Sequence, residues 1–173
     1  MKPAISTVCS LHASLESILE DYAAGQCHAV ELWLGHAEQY LDGRPPEVLV
    51  ELFSKHCCEP IAATFQGGLL TSQGDARREH WSLFESRLAL CSAVSIPTLI
   101  LAGDVHGPLA PEDLGRLSRS LVEAAKRAAD QGVRLALEFD ARATFPNNLQ
   151  SAVALIDDVG LPSLGICLDW FHF

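Results

Sequence analysis

No stretch of this sequence approaches the roughly 18 consecutive apolar residues that a membrane helix requires, so no membrane-spanning helix is expected. The first residues, Met1-Lys2-Pro3-Ala4-Ile5-Ser6-Thr7-Val8, lack the apolar core of a secretory signal and read as a first strand. Both absences point to a cytoplasmic protein with no membrane partner. Positive charge is scarce: 12 lysines and arginines face 22 aspartates and glutamates, for a net charge of −10. The dense basic spots, Arg77-Arg78 and Lys126-Arg127, fall in helical pattern and read as solvated helix faces. Such a balance repels a phosphate backbone, and no nucleic-acid partner is expected. Six cysteines occur, at 9, 27, 57, 58, 91 and 167, without a Cys-x-x-Cys pair. The adjacent Cys57 and Cys58 are poorly placed to share a metal or to bond to each other. A chain of 173 residues that is 49% hydrophobic needs no disulfide staple, so reduced thiols are expected.

What is present is alternation. Strand-like apolar runs occur at Ala4–Val8, Ala29–Leu34, Ile61–Phe65, Thr98–Ala102, Arg134–Phe139 and Leu164–Asp169. Helical stretches fall between them, at about 14–26, 46–57, 77–93, 112–131 and 147–159. The fourth helix is the clearest, with Leu114, Leu117, Leu121, Ala124, Ala125 and Ala128 at helical spacing. Pro111, Glu112 and Asp113 suit its first turn, and Gly132 and Gly160 follow helix ends where a left-handed cap favours glycine.

Strand and helix repeat without hairpin signals such as Asn-Gly between neighbouring strands, which predicts a parallel sheet. An open doubly wound sheet and a closed barrel compete. In Leu135-Ala-Leu-Glu138-Phe and Leu164-Gly-Ile-Cys-Leu-Asp169, large apolar residues alternate with small or charged ones. A strand between two helix layers is apolar on both faces, whereas a barrel strand turns one face into a narrow interior. The predicted fold is therefore a TIM (β/α)₈-type barrel. A complete barrel needs eight strands and about 250 residues. Six strands and five helices are legible, so residues 1–173 are expected to form one domain that lacks the last two strands. The unpaired first and last strands would then invite association with another copy.

In such a barrel, chemistry belongs at the C-terminal ends of the strands. Glu138 and Asp169 sit there, on adjacent strands and with matching inward parity. Two carboxylates in an apolar mouth repel each other, and a divalent cation between them removes that cost. Hard oxygens suit Mg²⁺ or Mn²⁺, and an added imidazole extends the choice to Co²⁺ or Zn²⁺. The bland alternative makes Glu138 and Asp169 ordinary strand-end residues, one capping a loop and the other salt-bridged to Arg142. Asp169-Trp-Phe-His172 also sets an imidazole three residues beyond the carboxylate, available to a metal or to a substrate hydroxyl.

These segments, Arg134-Leu-Ala-Leu-Glu138-Phe and Leu164-Gly-Ile-Cys-Leu-Asp169-Trp-Phe-His172-Phe, resemble the sugar phosphate isomerase/epimerase family with the xylose-isomerase-like barrel. Ala29-Val-Glu31-Leu-Trp33, Gln66-Gly67-Gly68 and Leu101-Ala-Gly103 match it in style. The resemblance implies one divalent metal held by Glu, Asp, His and Glu from successive strand ends. Glu138 matches the first ligand and an acid/base role, and Asp169 matches the second. His172 matches a histidine that contacts substrate beside the metal. The other two ligands would lie beyond Phe173, on later strands. The implied reaction moves a proton next to a carbonyl, through an enediolate, in a small-molecule sugar or sugar phosphate.

Lesser substrate-binding candidates are Glu31, inward on the second strand, His36 just past it, and Gln66 beside two glycines. Salt bridging, solvation and a simple turn are the respective alternatives. Asp104 and His106 read as ordinary loop polar residues, and Trp33 and Phe65 as packing, with a sugar face covered at the barrel mouth as the alternative. Two other functions compete. An apurinic-site endonuclease of the same superfamily would want a histidine where Gln66 stands, and would want less negative charge. A non-catalytic remnant or binding protein would follow from half a site.

Overall fold

The computed structural model describes residues 2–172, so Met1 and the Phe173 that closes the Asp-Trp-Phe-His-Phe segment lie outside the described residues. Six strands form one sheet, all parallel: β1 (Ile5–Ser6), β2 (Ala29–Trp33), β3 (Glu59–Gln66), β4 (Thr98–Gly103), β5 (Arg134–Phe139) and β6 (Leu164–Cys167). Their spatial order is their chain order, β1 to β6. A doubly wound sheet reverses direction at a switch point, whereas a barrel winds one way. The chain is an α/β fold of the partial-barrel kind.

Helices α1 (Leu15–Ala24), α2 (Leu34–Leu41), α3 (Glu47–Lys55), α4 (Gly74–Ala93), α5 (Pro111–Asp130) and α6 (Leu149–Val159) connect the strands. The stripe Leu117, Leu121, Ala124, Ala125 and Ala128 of α5 is fully buried. It joins Leu135 and Leu137 of β5 in one apolar core between sheet and helices. Pro111 is the first residue of α5, and the carboxylate of Asp113 accepts the Ala110 N–H at 2.9 Å.

Six helices are present where five were expected. The addition is α2, which starts at Leu34 directly after β2 with no intervening loop. Eight residues opening with Leu-Gly-His carry too short a periodic pattern to stand apart from the preceding strand. The strand ends also move. β1 stops at Ser6, because Thr7–Ser10 turns as a 3₁₀ helix capped by the Ser6 hydroxyl. β6 stops at Cys167, the partner of Glu138 in the ladder, and leaves Asp169 in the following loop. Among the described residues no helix is long and apolar enough to cross a membrane.

Candidate active site

Parity along β5 sends Leu135, Leu137 and Phe139 into the helix-facing core and leaves Ala136 and Glu138 half-buried on the other face. Glu138 opens into a cavity of about 460 Å³ at the C-terminal ends of the strands. Glu31, Asp169 and His172 share it. One wall is apolar, formed by Val8, Leu11, Trp33 and Phe65, and Ser6, Cys9 and Thr64 complete the lining. A hollow of about 560 Å³ beside Ser14, Tyr40 and Arg44 is larger, but it gathers no comparable set of titratable groups.

Glu31 and Asp169 are each positioned by a neighbour. Glu31 faces Ser6 across the β1–β2 ladder and accepts its hydroxyl at 2.7 Å. Asp169 caps the short 3₁₀ turn Trp170–His172: its Oδ1 accepts the Phe171 N–H at 2.8 Å. That turn brings His172 Nε2 to 3.9 Å from Asp169 Oδ2, and His172 Nδ1 to 3.4 Å from Asp140 Oδ1. Nδ1 is buried and makes no hydrogen bond among the described residues. Arg142 chelates Asp140, at 3.0 Å to Oδ2, and holds that carboxyl below its ordinary pKa. The alternative that pairs Arg142 with Glu138 or Asp169 is thereby corrected: the tight turn after β5 gives the guanidinium Asp140 as its partner.

Burial pushes the Glu138 carboxyl above its ordinary pKa, and the Asp169 and Glu31 carboxylates push it further. Beside it, the Cys167 thiol is raised to about 12 by burial and then by the same three carboxyl groups. This pocket is therefore acidic, partly desolvated and short of positive charge.

Two candidates lie elsewhere. His36 was expected in a loop, but because the chain enters α2 at Leu34 it is buried in that helix. Its ring meets Trp33 edge-on at 4.9 Å, and Nε2 approaches the Leu11 carbonyl at 3.4 Å, so it supports the apolar wall from behind. Gln66 is fully buried, its amide N–H donating to the Gly67 carbonyl and its oxygen accepting from Arg87. Neither lines the cavity. Sequence reasoning missed Ser6, Asp140 and Arg87, which work through partners distant in the chain or outside any motif. It read Asp104 as an ordinary loop residue, yet its carboxylate takes the Gly68 N–H at 2.7 Å and pins the loop after β3.

The profile of the xylose isomerase-like TIM barrel family matches residues 21–173. The chain belongs to that family. No curated protein sequence matches it. Solved xylose isomerase-like barrels superpose over almost the whole chain. A zinc-bound IolI protein is 22% identical with a TM-score of 0.90, over 100% of this chain and 64% of that one. The probable 3-DHS dehydratase AsbF of Bacillus anthracis, involved in petrobactin synthesis, gives 18% and 0.85, over 100% and 64%. A D-psicose 3-epimerase crystallised with D-fructose gives 21% and 0.81, over 99% and 64%. At these identities the likeness is one of fold. The chain spans less than two thirds of the length of these barrels.

A divalent ion is implied by the family resemblance, and the residues can be tested against it. Glu138 and Asp169 are oxygen donors in a pocket that disfavours their joint ionisation, and His172 Nδ1 is a buried nitrogen without a hydrogen bond. These features suit a cation. Yet no three His, Cys, Asp or Glu side chains among the described residues are arranged to hold one. The two carboxylates fit as part of a coordination shell, with the remaining ligands drawn from elsewhere.

Proposed function

We propose that this chain carries part of the active site of a divalent-metal-dependent sugar (or sugar phosphate) isomerase or epimerase, working by proton transfer through an enediolate. In this reading residues 1–173 are one barrel domain of a cytoplasmic enzyme whose partner is a small molecule rather than nucleic acid or membrane. One observation carries it: Glu138, its pKa raised by burial and by acidic neighbours, shares a cavity with Asp169, His172 and Glu31.

A hydrogen on carbon next to a carbonyl is weakly acidic, so its removal needs a base within reach and stabilisation of the oxyanion that forms. Glu138 and Asp169 would hold Mn²⁺ or Mg²⁺ (Co²⁺ or Zn²⁺ with an imidazole added), which supplies positive charge beside that oxyanion. Glu138 takes the proton: a carboxyl with raised pKa is a stronger base when ionised, and its conjugate acid can return the proton to carbon. His172 donates to a substrate hydroxyl, with Asp169 and Asp140 beside its two nitrogens orienting the ring. Glu31, steadied by Ser6, accepts from a second hydroxyl. The Trp33 and Phe65 wall excludes water from the reacting carbons.

Titrating Mn²⁺ and Mg²⁺ into the purified chain, with melting temperature as readout, tests this reading. Stabilisation abolished by both Glu138→Gln and Asp169→Asn is the expected result. Absence of stabilisation in folded protein would instead favour a non-catalytic binding protein. More than one zinc per chain would point to the apurinic-site nuclease chemistry.

A further inference from the structure

Positive charge is scarce in this chain, yet three of its 12 lysines and arginines converge on one hollow. Arg77 of α4 and Arg116, Arg119, Ser120 and Glu123 of α5 line it, beside the loop that enters α4. At about 450 Å³ it is of a size that takes a small molecule. None of its residues lines the acidic cavity. The strands that carry the chain into and out of these helices, β3, β4 and β5, each have a neighbour on both sides, so the hollow stands away from the sheet's edges. Local pattern makes Arg77 a solvated helix residue; docking of α4 against α5 brings it to Ser120 instead.

Arg77 is held in place before any ligand arrives. Its guanidinium stacks on the Trp81 ring at 4.8 Å, and Nη1 donates to the Ser120 hydroxyl at 3.1 Å and to the Leu69 carbonyl at 3.3 Å. Glu123, the one carboxylate in the lining, is claimed by Arg127 at 2.5 Å and stands 3.6 Å from Arg77. Arg116 pairs with Asp113 at 2.8 Å, whereas the exposed Arg119 makes no ion pair among the described residues. Ser120 is 1% exposed; its oxygen accepts from Arg77, and its own O–H meets no acceptor among the described residues. Gln73 gives no side-chain hydrogen bond at the N-cap of α4, so the first N–H groups of this 20-residue helix also lack a side-chain cap. Asp75 in that turn is paired with Arg78 and lies outside the lining.

Three guanidinium groups against Glu123 and Asp113 leave the hollow positive, in a protein whose net charge is −10. Forked N–H donors and a buried hydroxyl with a free proton are the complement of an anion that carries several oxygens. Phosphate can use all of these donors at once, whereas a carboxylate has two oxygens to offer. A long polyanion would run from the hollow onto acidic surface. We infer that the hollow between α4 and α5 binds a phosphate dianion, free or as the phosphomonoester of a small molecule, at a site separate from the acidic cavity.

Equilibrium dialysis of the whole chain against inorganic phosphate or glycerol 3-phosphate, in metal-free chloride buffer of matched ionic strength, tests the assignment. One site per chain is expected. Arg119→Gln should weaken it about tenfold, the loss of one charge-assisted donor fork. Arg119→Lys should recover part of the affinity, because it keeps the charge without the fork. Both variants should melt with the parent chain, since Arg119 is exposed and outside any ion pair among the described residues. Glu138→Gln, in the other cavity, should leave phosphate binding unchanged. Tighter binding of the ester would assign the site to a phosphomonoester, and tighter binding of inorganic phosphate to the free ion. Absence of binding at millimolar concentrations of both would overturn the inference, as would an affinity indifferent to Arg119→Gln. A short oligo(dT) bound more tightly than either ligand, and released by Arg119→Gln, would overturn it in favour of nucleic acid.

Discussion

Glu138 is where residue-scale physics bears most directly on function. A carboxyl whose pKa is raised in the folded state is destabilising once ionised. Its neutral form costs nothing below the unfolded pKa, and the penalty grows as pH rises through the folded value. Glu138→Gln should therefore raise the melting temperature of the metal-free chain at pH 7.5 and leave it unchanged at pH 4. Equal effects at both pH values would mean that ionisation is irrelevant. Gly68 gives a steric counterpart. Its φ of +78° lies in the left-handed region, and a Cβ there would run into the His80 ring. Gly68→Ala should cost about 1–3 kcal/mol in urea unfolding. It should also weaken the Gly68–Asp104 bond that pins the loop after β3. Gly35 has a related role, since a Cβ there would lie 2.6 Å from Trp33 ring atoms. Its missing side chain lets the indole lie back along α2 into the cavity wall.

At the scale of elements, Arg87 is the notable connection. From α4 it reaches Glu38 of α2 at 2.7 and 3.1 Å, and the Phe65 carbonyl and Gln66 amide oxygen of β3 at 2.9 and 3.3 Å. One guanidinium, 14% exposed, thus ties two helices to the strand end that bears Phe65. Arg87→Ala leaves the buried Gln66 oxygen without this donor and should cost about 2–4 kcal/mol by chemical denaturation. Arg87→Lys should recover less than half of that, because a point charge cannot reproduce the fork. A cost near zero would show that the four bonds are made equally well by water. The short α2 matters here because it carries Glu38 and His36, one gripping Arg87 and the other backing Trp33.

For the whole molecule, the open sheet decides behaviour. Within the described residues β1 pairs only with β2 and β6 only with β5, and Ile5, Val8, Leu168 and Phe171 near those edges are exposed. Unpaired strand edges flanked by apolar side chains favour association. Sedimentation of the chain should show mass increasing with concentration, and Leu168→Lys should reduce it. A monomer at every concentration would show that these edges are satisfied within one chain. The sequence by itself determined the strand–helix alternation, the barrel class and the inward parity of Glu138, because these rest on local periodicities of two and of about 3.6 residues. It also placed Asp169 and His172 on one short loop, since three residues allow little separation. What only the tertiary structure decided was which side chains meet: Ser6 with Glu31, Asp140 with His172 and Arg142, and Arg87 with β3. It likewise took His36 and Gln66 out of the cavity lining. Local pattern records which face a residue takes. Partners distant in the chain are chosen by strand register and helix docking, and those depend on the whole core.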